Sequence, residues 1–331
     1  MRIKLLHPEW DLIFNLGSSD NLDRHELVSP DAVADISFVL EDVFEDLGCA
    51  TGYKVLLGAE TSWDRDYFFR KDIVDFLGQF DLVAGPYDWY PCKFIRAAPF
   101  LPWMINSDFH ENLYSSYQSF NAVREQLLSM GPFEDTENIC VLCSAKNFTA
   151  EHRFRVNLIK DLVSTWPGIF HCYGSLWGRP VPRKADLFER YKNHLVIENK
   201  IGSHFVSEKL IDPLIAGCTV FYLGGDFCSS NVINMRHLSL DLERNGLDEM
   251  IGSRLGGINS RRIDLATLEN WSLPNRICGL ATLIQENIHE VSSGSNLKPK
   301  KRFKSRLREL SLIHRIGLKL DPMVEVSKGQ L

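Results

Sequence analysis

The sequence predicts an α/β protein built of two Rossmann-like domains facing a cleft. Three observations carry that reading. The chain has 331 residues, enough for two domains of ordinary size, each with its own core. Strand and helix patterns alternate along it, as they do when helices cover parallel sheets. The alternation pauses at a polar stretch, "FEDTEN" (133–138), and then restarts.

In the first half, "RIKLL" (2–6) and "YKVLLG" (53–58) read as strands, "RKDIVDFLGQ" (70–79) as a helix and "FDLVAG" (80–85) as the next strand. The proline-spaced stretch 85–103 reads as irregular, and a helical segment is expected around 112–130. "FEDTEN" is the expected linker. In the second half, "ICVLCS" (139–144) reads as a strand. "AEHRFRVNLIKDLVSTW" (150–166) reads as an amphipathic helix with Phe154, Leu158, Ile159 and Leu162 on one side. There follow a strand at 169–174, a helix at 185–193, a strand at 194–199, a helix at 207–217 stopped by Gly217, and a strand at 218–224. A long helix near 264–291, interrupted around Pro274, closes the series. The expected division is an N-terminal domain 1–134, a C-terminal domain 135–297 and a basic tail 298–331.

Apolar content of 44% and charged content of 24% are those of an ordinary globular protein. A net charge of −6 argues against nucleic acid as the main partner. The average hides an asymmetry: residues 298–319 hold nine Lys/Arg and one acid, Glu309. Interleaved with Phe303, Leu307, Leu310, Ile313 and Leu318, they fit a basic amphipathic helix for an anionic membrane surface, or else a solvated or packed tail. No signal-peptide core forms near the N-terminus, and "PLIAGCTVFYLGG" (213–225) is too short for a bilayer. Eight cysteines without framework spacing suit a reducing compartment. The expected location is therefore cytoplasmic, or peripheral on the inner membrane face through 298–319. In "CVLC" (140–143), positions i and i+3 of a strand face opposite sides and make a poor metal clip. "DRD" (64–66) is a DxD triplet too short to weigh much, and no metal site is expected.

The informative stretch is "YKNHLVIENKIGSHFVSEKLIDPLIAG" (191–217). Ligands of open parallel sheets bind beyond the carboxyl ends of the strands, and Glu198 and Asn199 stand at such an end. Ser207 is placed to cap the next helix, leaving free N–H groups that attract phosphate. Lys209 adds a full positive charge, and the Glu208 carboxylate suits ribose or sugar hydroxyls. The pattern fits a sugar nucleotide, which is both diphosphate and polyol. It equally fits a capped helix with surface charges.

The same stretch resembles the family 10 glycosyltransferases, the α-1,3/1,4-fucosyltransferases, of a bacterial type without a transmembrane anchor. The family's run of Tyr-Lys-Phe, a strand, Glu-Asn, then Tyr-Val-Thr-Glu-Lys and a helix is similar over about 35 residues, with Phe205 and Ser207 in place of its Tyr and Thr. The resemblance implies the GT-B fold and inverting transfer of fucose from GDP-fucose to a glycan hydroxyl, without metal or other cofactor. Donor binding would fall to Arg155, Lys192, Glu198, Asn199, Phe205, Glu208 and Lys209. Arg155 comes from a fainter match at "CVLCSAKNFTAEHRFRVNLIKDL" (140–162), with Arg153 as rival. A weaker match at "VLLGAETSWDRDYF" (55–68) puts Glu60 at the family's general base. The alternatives are a GT-B transferase for another nucleotide sugar and a non-catalytic glycan- or nucleotide-binding protein on the same fold.

Overall fold

The computed structural model describes residues 1–7, 10–14, 24–40, 47–58, 75–86, 93–100, 105, 120–147, 149–181, 183–200, 205–225, 235–237, 263, 268, 271–291 and 324–325. Two compact units emerge: the described parts of Met1–Leu101 with those of Ser272–Leu331, and the described parts of Pro102–Trp271. The chain returns to its first unit after residue 271, an arrangement that a linear division of the sequence does not express.

The first unit holds a seven-stranded sheet. Its strands are β1 (Arg2–Leu6), β2 (Glu26–Leu27), β3 (Ile36–Leu40), β4 (Tyr53–Leu57), β5 (Leu82–Gly85), β6 (Phe94–Ala97) and, much later, β12 (Val324–Glu325). The order is β12-β6-β5-β4-β3-β1-β2, parallel throughout except for β12 on β6. "ISFVL" forms the fully buried β3, a continuous apolar run of the kind parallel sheets bury on both faces. β6 gives a regular strand inside the stretch expected to be irregular. Lys4, the polar residue of β1, is buried and donates to the carbonyls of Pro30, Ala32 and Cys49.

Helix α6 (Leu273–Val291) carries the chain back. It is not broken at Pro274. Proline stands in its first turn, where the missing N–H has no partner to lose. Arg276 is buried against the Phe100 ring and donates to the carbonyls of Pro99 at 2.6 Å and Ala98 at 2.7 Å, which ties α6 to this unit. Of the helices expected at 70–79 and 112–130, α2 (Phe120–Ser129) lies within the described residues; 70–74 and 112–119 lie outside them.

The second unit holds a five-stranded parallel sheet of β7 (Asp135–Leu142), β8 (Phe170–Tyr173), β9 (Tyr191–Ile197), β10 (Thr219–Leu223) and β11 (Met235–His237), in the order β11-β10-β9-β7-β8. The first strand of each unit therefore lies between its second and third, the arrangement of a doubly wound sheet. The expected linker is part of this sheet: β7 starts at Asp135, with a register shift between Asp135 and Ile139.

Helix α3 (Ala150–Thr165) is capped by Thr149, whose hydroxyl accepts from His152 N. Its buried side is His152, Arg155, Val156, Ile159 and Leu162. Phe154, expected inside, is exposed, because the 152–155–159–162 stripe faces the sheet instead. On that sheet face, Val156, Ile159 and Leu162 meet Ile139, Val141 and Cys143. On the opposite face, Leu187 of α4 (Lys184–Arg190) meets Cys140 and Tyr191. The two cysteines of "CVLC" thus face opposite layers. β9 begins at Tyr191, three residues before the expected start, so α4 is correspondingly short.

Among the described residues all cysteines are free and no helix is long and apolar enough to cross a membrane.

Candidate functional site

The change in winding direction between β7 and β9 is where an open α/β sheet leaves a crevice for a ligand. A cavity of about 540 Å³ lies there, within the second unit. Ser144 after β7, Gly174 after β8, Ile197 at the end of β9, Arg155 of α3, and Glu208 and Lys209 of α5 (Glu208–Ile215) are among its lining residues.

Glu198, just past β9, holds the residue that opens α5. This carboxylate is fully buried; Oε1 accepts the Ser207 N–H at 2.9 Å and Oε2 accepts the Ser207 hydroxyl at 2.7 Å. Ser207 in turn caps α5, accepting from Lys209 N at 3.3 Å. Glu198 therefore acts beneath the site and positions the helix terminus. Burial pushes its carboxyl above the usual range; Lys209 and the two Ser207 bonds pull against that shift, and Glu208 adds to it. Phe205 is also structural: its ring is buried, and its carbonyl accepts from Tyr222 Oη and Gly225 N, both at 3.2 Å.

Arg155 reaches the strand ends from α3. Nη2 donates to the Ser144 carbonyl at 3.3 Å and its hydroxyl at 3.2 Å, and Nη1 donates to Asn199 Oδ1. Its Nε is buried with no hydrogen-bond partner among the described residues. Arg153 is exposed and donates to the Asn147 carbonyl. Of the two arginines only Arg155 lines the cavity.

Two residues that the sequence did not single out complete the cluster. Lys184 Nζ, at the start of α4, lies 3.2 Å from Asp212 Oδ2 and 3.7 Å from Glu208 Oε1. Lys209 Nζ lies 3.1 Å from the same Glu208 oxygen. A signal was present: Glu208 and Asp212 are i and i+4 on one expected helix, where like charges repel, and Asp212 stands inside the apolar run LIDPLI; the structure buries it fully. Such a pair needs a cation from elsewhere. Burial alone would raise the Glu208 carboxyl, but Lys209 and Lys184 more than offset it and bring it down to about 2. Burial would lower the Lys209 ammonium; Glu208 and Glu198 outweigh it, and the ammonium is raised.

The expected site residues thus separate. Arg155, Glu208 and Lys209 converge on the cavity, while Glu198, Asn199 and Phe205 support it. Lys192 is not brought there: it stands near the start of β9, about 20 Å along the strand from Glu198 at ~3.3 Å per residue. Glu60, the DxD triplet at 64–66 and His204 lie outside the described residues. Among the described residues no group of three His, Cys, Asp or Glu side chains is arranged to hold a metal ion.

The ion cluster predicts an acid-sensitive stability. Glu208 titrates near about 2 in the folded chain against 4.5 ordinarily, so between those values the unfolded chain binds more protons. The stabilisation from Glu208 is complete above about pH 4.5 and is lost as pH falls toward about 2. In urea unfolding, the advantage of wild type over Glu208→Gln is expected to shrink across that window. An advantage unchanged from neutral pH to about pH 2 would mean that the cluster leaves Glu208 unperturbed.

No family model matches this chain, and no curated protein does. Among solved structures it is similar to an α1,3-fucosyltransferase at 17% identity, over 68% of this chain and 69% of that one, with a TM-score of 0.38. An α1,3-fucosyltransferase with GDP-fucose matches at 16% identity, 68% of each chain and a TM-score of 0.37. One with GDP matches at 15% identity, 86% of this chain and 90% of that one, with a TM-score of 0.46.

Proposed function

We propose that the protein is a glycosyltransferase whose second unit binds a nucleoside-diphosphate sugar at the switch-point cavity. One observation carries this reading: Arg155, Lys209 and the N-terminus of α5 meet at that cavity beside the Glu208 carboxylate. Two cations at the positive end of a helix suit a diphosphate, although the first-turn N–H groups expected to be free are taken by Ser207 and by the Glu208 carboxylate; the neighbouring carboxylate suits the hydroxyls attached to it.

The resemblance at 191–217 makes the donor GDP-fucose, the fold GT-B and the acceptor a glycan hydroxyl. The reaction is then a single displacement. A base, assigned to Glu60, takes the acceptor hydroxyl proton. The oxygen forms its bond to the anomeric carbon as the bond to the diphosphate breaks, with inversion. Lys209, Arg155 and the helix N-terminus stabilise the charge on the departing GDP, each such donor being worth about 3–4 kcal/mol when removed singly. No metal takes part in this scheme. Residues 298–319 would hold the enzyme near acceptors at an anionic membrane surface.

A thermal-shift screen of nucleotide sugars tests the donor class without knowledge of the acceptor, because a ligand that binds only the folded state raises the melting temperature. GDP-fucose is expected to raise it and GDP release to follow on adding acceptor glycans. A rise with a different nucleotide sugar alone would reassign the donor. Binding of GDP-fucose without hydrolysis or transfer would favour a binding protein, and no rise with any nucleotide sugar would remove the function from this cavity.

A further inference from the structure

We infer that Lys184 is the resident counter-ion of Glu208, a positioning residue that leaves Lys209 available to an anionic ligand; this rests on the diphosphate-binding reading of the cavity. Glu208 Oε1 is shared by two ammonium groups, Lys209 at 3.1 Å and Lys184 at 3.7 Å. The two differ in exposure, and Lys209 Nζ also donates to Ser207 Oγ at 3.3 Å. The Lys184 side chain is 5% exposed and held 3.2 Å from an Asp212 side chain that is 0% exposed. The Lys209 side chain is 30% exposed at the cavity.

An anion entering the cavity attracts Lys209. Without Lys184, that movement would strip a part-buried carboxylate of its cation, which is costly in a low dielectric. With Lys184 in place, Glu208 keeps a partner throughout. The position of Lys184 supports this role. It is the first residue of α4, where the helix dipole disfavours a cation, yet it is buried there against two carboxylates of another helix. Glu208 is faced by Lys209 from its own helix, Lys184 from α4 and Glu198 just after β9, while Asp212 of the same helix and Arg155 of α3 line the same cavity. His194 of β9 and Cys143 after β7 line the same cavity.

The test is calorimetric titration of GDP and of inorganic pyrophosphate into wild type, Lys184→Met with Asp212→Asn, and Lys184→Gln. The double variant removes the cation together with its buried partner charge, the change a fold tolerates best. Lys184→Gln keeps a donor for Asp212. The variants are expected to bind about tenfold more weakly than wild type at about pH 8, and the gap is expected to close toward about pH 5.5 with proton uptake on binding, because a proton on Glu208 then replaces the lost cation.

Equal affinity of wild type and variants at both pH values would overturn the inference. So would a gap independent of pH, or failure of both variants to fold, since either makes Lys184 a purely structural residue. If wild type binds pyrophosphate but not GDP, the nucleotide reading fails while Lys184 is still decided on pyrophosphate. If it binds neither, both readings fail together.

Discussion

Gly174→Ala is expected to destabilise the protein by about 3 kcal/mol or more and to weaken ligand binding at the cavity. Gly174 follows β8 with φ 97° and ψ 179°, a backbone region open essentially to glycine alone. A Cβ there would come within 2.4 Å of the Cys143 carbonyl oxygen. That oxygen cannot easily retreat, because it accepts from Leu176 N and Cys143 N is bonded to the Tyr173 carbonyl at 3.0 Å. The strain falls on the two strand ends that line the cavity. Gly178 supplies the control. It is left-handed at φ 61°, but a Cβ there meets nothing within 4 Å. Gly178→Ala is expected to cost only about 1 kcal/mol. Denaturant unfolding of both variants measures the difference; equal costs would mean that the close approach of β7 and β8 does not constrain this turn.

Local patterns carried the legible part of the fold and site. The alternation of elements, the Ser207 cap and the charged first turn of α5 all lie within short stretches of chain. What escaped the sequence depends on contacts distant in the chain. β3 lacked a marker because "ISFVL" is followed by acidic residues and has no alternation to announce a strand buried on both faces. "FEDTEN" reads as a linker from its polarity. Asp135 instead accepts from Glu137 N and Asn138 N and shapes an irregular start to β7. α6 returns to the first unit through Arg276, whose partners Ala98 and Pro99 are some 180 residues earlier. Lys184 sits in "VPRKAD" and reads as a solvated charge until the 3.2 Å approach to Asp212 is seen. Phe205 and Glu198 belong to the 191–217 stretch, and their burial gives them supporting positions that a motif cannot distinguish from ligand contact.

Arg155→Ala and Lys209→Ala are expected to lower affinity for GDP on the order of 10²-fold each, since hydrogen bonds to charged groups are worth about 1.5–3 kcal/mol. Arg155 presents a guanidinium oriented by Ser144 and Asn199, with a buried Nε that has no hydrogen-bond partner among the described residues. Lys209 is the less enclosed of the two lysines of the cluster, its side chain 30% exposed against 5% for Lys184. Lys192→Ala, altered at the far end of β9, is expected to leave affinity unchanged. Calorimetric titration of GDP into wild type and these three variants is therefore the most direct test of the central claim, that the switch-point cavity of the second unit is a nucleoside-diphosphate site. The account predicts saturable binding to wild type and to Lys192→Ala, with the loss confined to Arg155→Ala and Lys209→Ala. Undiminished binding in both of those variants, or no binding to wild type, would contradict it.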